Sequence, residues 1–335
     1  MRRTNGILGR SQARANSAFY AKAPADGTGG RCMIGTAKRL AAVGALCAAT
    51  SLAAQSAPAP APATTTPDSG IVVTGKQEPA PKGNQVFDEA RGISRLGPHE
   101  TYVVALPRFR RPVCPGVLGL RPAYADAMIG RMRADIKRLK VALADEGCSP
   151  NLVVAFAPDG HALLSALAQD WPKMFQLITP SEQAELITDE APVRVWNNLV
   201  ARWTGAGPPP ENGVKPSVWG QLNRNDMPVS YDILSALVVF DQSSVKGMTL
   251  TQLADYATMR GLSHTRPPSG EQPMATILSL FDGDKSNPDK LTRFDVGYLR
   301  SLYWWNANTS AANKLADVER WAAKAADEDK QVRAK

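Results

Sequence analysis

The residues that invite a chemical interpretation lie in one stretch, LTQLADYATMRGLSH, from Leu250 to His264. It offers a carboxylate at Asp255 and an imidazole at His264, side chains that serve in acid–base catalysis and as metal ligands. Ala254 and Thr258 stand one helical turn apart, so they share a face of any helix formed here. This combination predicts a hydrolytic or metal-binding site, or a site that has lost its chemistry.

The spacing resembles the active-site helix of zincin metallopeptidases, where H-E-x-x-H places two histidines on one face and the glutamate acts as base. Metzincins extend this to H-E-x-x-H-x-x-G-x-x-H, in which the glycine lets the chain turn and a third histidine completes the zinc site. Gly261 and His264 match this pattern. Asp255 stands at the glutamate position, and Ala254 and Thr258 occupy the first two histidine positions.

Two downstream segments extend the resemblance over residues 231–304. TILSLFDGD, starting at Thr276, looks like the metzincin Met-turn, with Leu278 where methionine would stand. The next segment looks like the closing helix of matrixin-type metzincins. Tyr298 departs from that pattern because a small residue is expected there, and the residues in step are Leu291, Thr292, Asp295, Val296, Leu299, Leu302 and Tyr303.

The resemblance implies a particular geometry. Gly261 should end the helix in a left-handed conformation, and Ala254 and Thr258 should face a cleft. His264 should turn back toward that face, with Leu278 as a hydrophobic floor.

The same overlay removes the zinc chemistry, because catalytic zinc needs three protein ligands and an open position. Ala254 has no donor atom and the Thr258 hydroxyl is a poor ligand, so we expect no cofactor. The sequence favours a non-catalytic protein that binds a peptide or protein partner. Two alternatives stay open: a divergent hydrolase or peptidase that uses Asp255 and His264, and a structural envelope protein.

Alternating apolar patterns predict an α+β fold, a mixed sheet packed with helices, as one domain over 87–327 followed by a charged tail at 328–335. Short Val-rich runs predict strands at 101–106, 151–156, 193–203 and 231–241. Helical periodicity and capping residues predict helices at 159–169, 181–187, 249–262, 290–305 and 311–325, and one that starts at Pro122.

The first residues read as a targeting signal. Met33 opens a short basic segment, an apolar run follows, and small residues come next, as in a secretory signal peptide at 33–54. Residues 1–32 then form an over-extended start or a disordered leader. Of the formal net charge of +8, residues 1–54 supply eight basic side chains against one acid. The rest is nearly neutral, so nucleic-acid binding is not expected. The apolar run is shorter than the about 20 residues that a membrane-spanning helix needs, so no transmembrane segment is expected.

An exported protein meets an oxidising compartment, which favours a disulfide between the two remaining cysteines, Cys114 and Cys148. The helix between them must then end early, near Leu139, because the connecting residues reach only ~24 Å. Two buried free thiols are the alternative.

A Pro- and Ala-rich linker is predicted at 55–86, since it contains few large apolar residues. It includes IVVTG from Ile71, which resembles the motif at the start of the plug of TonB-dependent receptors. This is either a docking peptide or an isolated β-prone patch.

The leader generates a prediction about processing. We expect the mature chain to begin between Ala54 and Pro58, because small residues there suit signal peptidase. N-terminal sequencing of protein extracted from the cell envelope checks this, and an intact Met1 or Met33 on a cytosolic protein would contradict it.

Overall fold

Runs of Val, Leu and Ala form the centre of a mixed sheet in the computed structural model. The described residues are 83–97, 99–175, 180–188, 190–203, 226–269, 274–283 and 287–333. The predicted signal peptide, most of the predicted linker and IVVTG therefore lie outside the described residues. The strands are β1 (Arg108–Phe109), β2 (Pro115–Leu118), β3 (Leu152–Ala157), β4 (Val193–Trp203) and β5 (Val229–Asp241).

Strand β5 organises the sheet. One edge of β5 pairs in parallel with β3 and, nearer its start, with β1, while β3 pairs in parallel with β2. The other edge pairs antiparallel with β4, from Val193 opposite Phe240 to Trp203 opposite Val229. The α+β class with a mixed sheet is therefore confirmed, together with the predicted strands that correspond to β3, β4 and β5.

Helices pack against this sheet and follow the predicted capping signals. Pro122 begins α2, Asp159 caps α3 by accepting the Ala162 N–H, and Thr249 caps α5. None of the helices in the described ranges combines the length and apolarity that crossing a membrane requires. The helices are α1 (Gly83–Ile93), α2 (Pro122–Arg138), α3 (Gly160–Asp170), α4 (Pro180–Thr188), α5 (Leu250–Leu262), α6 (Arg293–Trp304), α7 (Ala311–Ala316) and α8 (Val318–Arg333).

The disulfide forms between Cys114 and Cys148, whose Cα atoms lie 6.1 Å apart. Helix α2 ends at Arg138 with Leu139 as its C-cap, which is the early end that the bridge requires. Within the segment that the disulfide closes, Ala142 and Ala144 exchange backbone hydrogen bonds with Val113, which lies just before Cys114 and β2.

The predicted strand at 101–106 is wrong. The N–H groups of Val103 and Val104 both donate to the Glu100 carbonyl, so this part of the chain turns. The carbonyls of Thr101 and Val104 instead accept the N–H groups of Ala312 and Ala311 at the start of α7. Val103 and Val104 are only half-buried, and the backbone carbonyls of this segment bond to the start of a helix instead of to a strand.

Three predicted boundaries also differ from the structure. Helix α1 begins at Gly83, inside the predicted linker, because Val86 and Ala90 are buried in the core. Helix α8 continues to Arg333, past the predicted domain end at 327. Helix α4 begins at Pro180, so Ser181 lies within its first turn instead of capping it.

Helices α6 and α8 approach closely at Gly297. A Cβ atom added there would lie 2.7 Å from the Val318 carbonyl oxygen and 2.9 Å from the Ala322 backbone nitrogen. The neighbouring Tyr298, which departs from the metzincin pattern, is buried, and its hydroxyl lies 2.8 Å from Oγ of Ser94, the residue that follows α1. The small residue of this helix is therefore Gly297, one position before the place where the metzincin pattern has it.

We expect Gly297→Ala to lower the free energy of unfolding by about 1–3 kcal/mol, since backbone atoms of α8 cannot move aside without separating the helices. The matched control is Gly130→Ala in α2, where an added Cβ would meet nothing within 4 Å. The control should stabilise by about 0.5–1 kcal/mol because alanine favours helix. Urea unfolding of both variants measures the difference, and equal effects would contradict the close approach.

Candidate functional site

Helix α5 carries the residues that sequence reasoning selected. A capping box starts it: the Thr249 side chain accepts the Gln252 N–H, and the Gln252 side chain accepts the Thr249 N–H. The helix runs to Leu262, and Ser263 follows in an extended conformation. The predicted left-handed end at Gly261 is therefore wrong. Gly261 is needed for packing, since a Cβ there would overlap Cδ1 of the buried Leu152 in β3.

Ala254 and Thr258 are both fully buried, with 0% of their surface exposed. The predicted cleft at this face of α5 is accordingly not open to solvent. The Thr258 hydroxyl is buried and has no hydrogen-bond partner among the described residues. A histidine at either position would have to displace packed neighbours.

Asp255 is a structural anchor. Its Oδ1 and Oδ2 atoms accept hydrogen bonds of 2.7 Å each from Nε and Nη2 of Arg131 in α2. Oδ2 also accepts the Leu291 N–H at 2.6 Å, and the residue is fully buried. A buried carboxylate needs such partners because its desolvation is otherwise uncompensated. Asp255 joins α2, α5 and the segment before α6.

A second acid, Asp135, belongs to the same network. Its Oδ2 lies 3.2 Å from Arg131 Nε and has no hydrogen-bond partner among the described residues, and its carboxyl group is close enough to Asp255 for the two charges to interact. Burial, followed by the charge of Asp255, raises the pKa of Asp135 from 3.8 to about 8, against the opposing effect of Arg131 and Arg138. At neutral pH this acid pair therefore holds a proton.

His264 lies at the other side of the helix end. Its Nδ1 is 3.3 Å from Oδ1 of Asn197 in β4, and Asn197 Nδ2 donates to the carbonyls of Arg260 and Gly261. Asp255 contacts α2 and the segment before α6, whereas the His264 side chain contacts the sheet. The structure thus directs these two candidate residues toward different elements.

Leu278 is fully buried in a short 3₁₀ helix, Ile277–Phe281. Asp295 connects this turn to the start of α6. Its carboxylate accepts the Thr276 hydroxyl at 2.6 Å, the Ile277 N–H at 2.8 Å, and the N–H and hydroxyl of Thr292 at 2.9 Å each. Burial raises the pKa of Asp295 to about 6, and these hydrogen bonds oppose the rise.

The donor set does not fit a catalytic zinc ion. Ala254 has no donor atom, and both Asp255 oxygens are engaged by Arg131. Across the described ranges, no group of three His, Cys, Asp or Glu side chains is arranged to hold a metal ion. Comparison with protein-family models, with curated proteins and with solved structures found no match.

Sequence reasoning missed the partners of these residues, chiefly Arg131, Asp135 and Asn197. The four-residue spacing of Arg131 and Asp135 in a helix was an available signal of an ion pair. Nothing local, however, indicates that Asp255, more than a hundred residues later, completes this pair. Asn197 gave no signal, since it lies in an apolar strand pattern.

The acid pair generates a prediction about pH. Because folding raises the pKa of Asp135, its protonated form stabilises the folded protein. This contribution is complete below the pKa that Asp135 has in the unfolded chain, and it is lost as pH rises through about 8. We expect Asp135→Asn, which has a similar size but cannot ionise, to flatten this loss. Wild-type stability should fall by roughly 2–4 kcal/mol relative to the variant between pH 5 and pH 9.

Chemical unfolding across this pH range measures the difference. Asp126→Asn is the control because Asp126 lies on the same helix but is exposed. It should follow the wild-type profile. Parallel profiles for wild type and Asp135→Asn would rule out the raised pKa.

Proposed function

We propose that this is an exported, non-catalytic protein of the cell envelope, with a metzincin-like C-terminal half, that binds an extended peptide or protein segment along the outer edge of β4. The signal-peptide pattern and the Cys114–Cys148 disulfide support export to an oxidising compartment.

The order of elements supports the metzincin-like half. Strand β5 is followed by a turn, the helix α5, the short turn at Ile277–Phe281 and the closing helix α6. Asp295, an acid of the closing-helix pattern, ties that turn to α6. The departure lies on α5 itself, where the zinc-ligand face is packed and Asp255 binds Arg131.

The unpaired edge of β4 is the observation that carries the binding proposal. Among the described strands β4 pairs only with β5, along its whole length from Val193 to Trp203. Unpaired N–H and C=O groups of an edge strand can accept an extended peptide as a further strand. Peptide addition satisfies these groups without any catalytic residue.

The direction of each β4 backbone group follows from one hydrogen bond. The Asp241 N–H donates to the Pro192 carbonyl, so residues of β4 with even numbers face β5 and those with odd numbers face outward. A register shift after Asn198 skips one residue of β5, so the alternation along β4 continues unchanged. Ala201 is therefore an outward-facing position, and its side chain is exposed.

The divergent hydrolase receives less support. It needs the Asp255 carboxylate free to act on a substrate, and that carboxylate is buried and bonded to Arg131 and Leu291. A structural envelope protein without a peptide ligand would leave the β4 edge unused, which the following experiment detects.

We expect Ala201→Pro to weaken peptide binding at least tenfold, because proline removes an outward N–H without breaking the ladder to β5. Mature protein is used to select binders from a mixed peptide library, and their dissociation constants are then measured for wild type and variant. Mass spectrometry of the recovered library detects cleavage products.

The control is Ala201→Val, which keeps the N–H and should bind like wild type. Circular dichroism and the unfolding temperature verify that both variants fold. Cleaved peptides would favour the hydrolase, while the absence of any retained peptide would favour the structural protein. Binding that Ala201→Pro leaves unchanged would remove β4 as the binding edge.

A further inference from the structure

Arg260 is a buried cation with unused hydrogen-bonding capacity. Only 3% of its surface is exposed. Its Nη1 donates to the Tyr256 hydroxyl at 2.8 Å, and the guanidinium carbon lies 5.7 Å from the centre of the Tyr256 ring. Nε is buried, and neither Nε nor Nη2 has a hydrogen-bond partner among the residues that the structure describes. A buried charge in this state is costly unless an anion joins it.

The other buried arginines among the described residues each have a carboxylate counter-ion. Arg194 pairs with Asp241 at 2.9 Å, and Arg300 pairs with Glu328 at 2.6 Å. No carboxylate of the described residues lies within 4.0 Å of the Arg260 guanidinium. Arg260 therefore lacks the counter-ion that the chain gives to comparable side chains.

The free edge of the guanidinium has the geometry that binds carboxylates. Arg131 holds both oxygens of Asp255 through Nε and Nη2, and Arg320 holds both oxygens of Asp317 through the same two atoms. In Arg260 the Tyr256 hydroxyl accepts from Nη1, and Nε and Nη2 have no partner within the described part of the chain. Two parallel N–H groups match a carboxylate in the bidentate manner.

We propose that Arg260, with Tyr256 fixing its orientation, is a binding site for the carboxylate group of a ligand. A monoanion fits better than a phosphate dianion, because one guanidinium supplies one charge and the negative charge of Asp282 acts on Tyr256 beside it. The carboxylate can belong to a small organic acid or to a peptide. The site is separate from the β4 edge and does not depend on peptide addition there.

The test uses acetate as the probe, with the mature protein. Sodium acetate should raise the unfolding temperature of wild type above its value in sodium chloride at the same ionic strength. Arg260→Gln should abolish this difference. Arg266→Gln, which removes an exposed arginine six residues later, should keep it. Arg260→Lys retains the charge but not the paired N–H groups, so its dissociation constant for acetate should be at least tenfold weaker.

A second arm identifies the source of the carboxylate. Short acetylated peptides with a free C-terminal carboxylate are compared with their C-terminal amides. Tighter binding of the free acids, lost in Arg260→Gln, assigns the site to peptide termini, whereas an effect of acetate alone assigns it to small acids. Equal unfolding temperatures of wild type in acetate and chloride would overturn the proposal, as would an acetate effect that persists in a folded Arg260→Gln variant.

Discussion

The fold around α5 depends on the ion pair between Arg131 and Asp255. Asp255 is fully buried, so its charge must be compensated inside the protein. The two parallel hydrogen bonds from Arg131 and the N–H of Leu291 provide this compensation from two other parts of the chain. They fix α2 and the segment before α6 relative to α5. Arg131 also lies beside Asp135, so a second acid is drawn into the same contact.

Asp295 plays the corresponding role one element later. It accepts hydrogen bonds from both sides of the connection between the 3₁₀ turn and α6, including two backbone N–H groups that begin these elements. Buried carboxylates serve well here because helix starts present unpaired N–H groups and a positive end of the dipole. The acids that the zincin comparison selects are thus engaged in holding helices together.

The polar groups discussed above are of two kinds: those whose hydrogen bonds are satisfied inside the protein, and those with hydrogen-bonding capacity that is unused. The acids on the α5 and α6 segments have their hydrogen bonds satisfied internally, which leaves little capacity for a substrate. The outer edge of β4 and the free edge of the Arg260 guanidinium keep capacity that the described residues do not use. A ligand gains the most binding free energy by pairing with polar groups that lack a hydrogen-bond partner, because folding has already removed water from these groups.

The sequence alone determined the features that depend on neighbours along the chain. The Val-rich runs gave β3, β4 and β5, and capping residues such as Asp159 and Thr249 gave the starts of their helices. The reach of the chain between Cys114 and Cys148 required the early end of α2. These are short-range effects of periodicity, capping and chain length, so a local pattern is sufficient to predict them.

Contacts between distant residues were decided only in the tertiary structure. Asp255 could be recognised as an acid in a helix, but its role depended on Arg131, which approaches from 124 residues away. Gly261 matched a helix-ending glycine, and yet Leu152 of β3 is the reason a side chain does not fit there. A carboxylate is a base, a ligand or an anchor according to what faces it. That partner is set by the packing of whole elements and not by the spacing of residues along the chain.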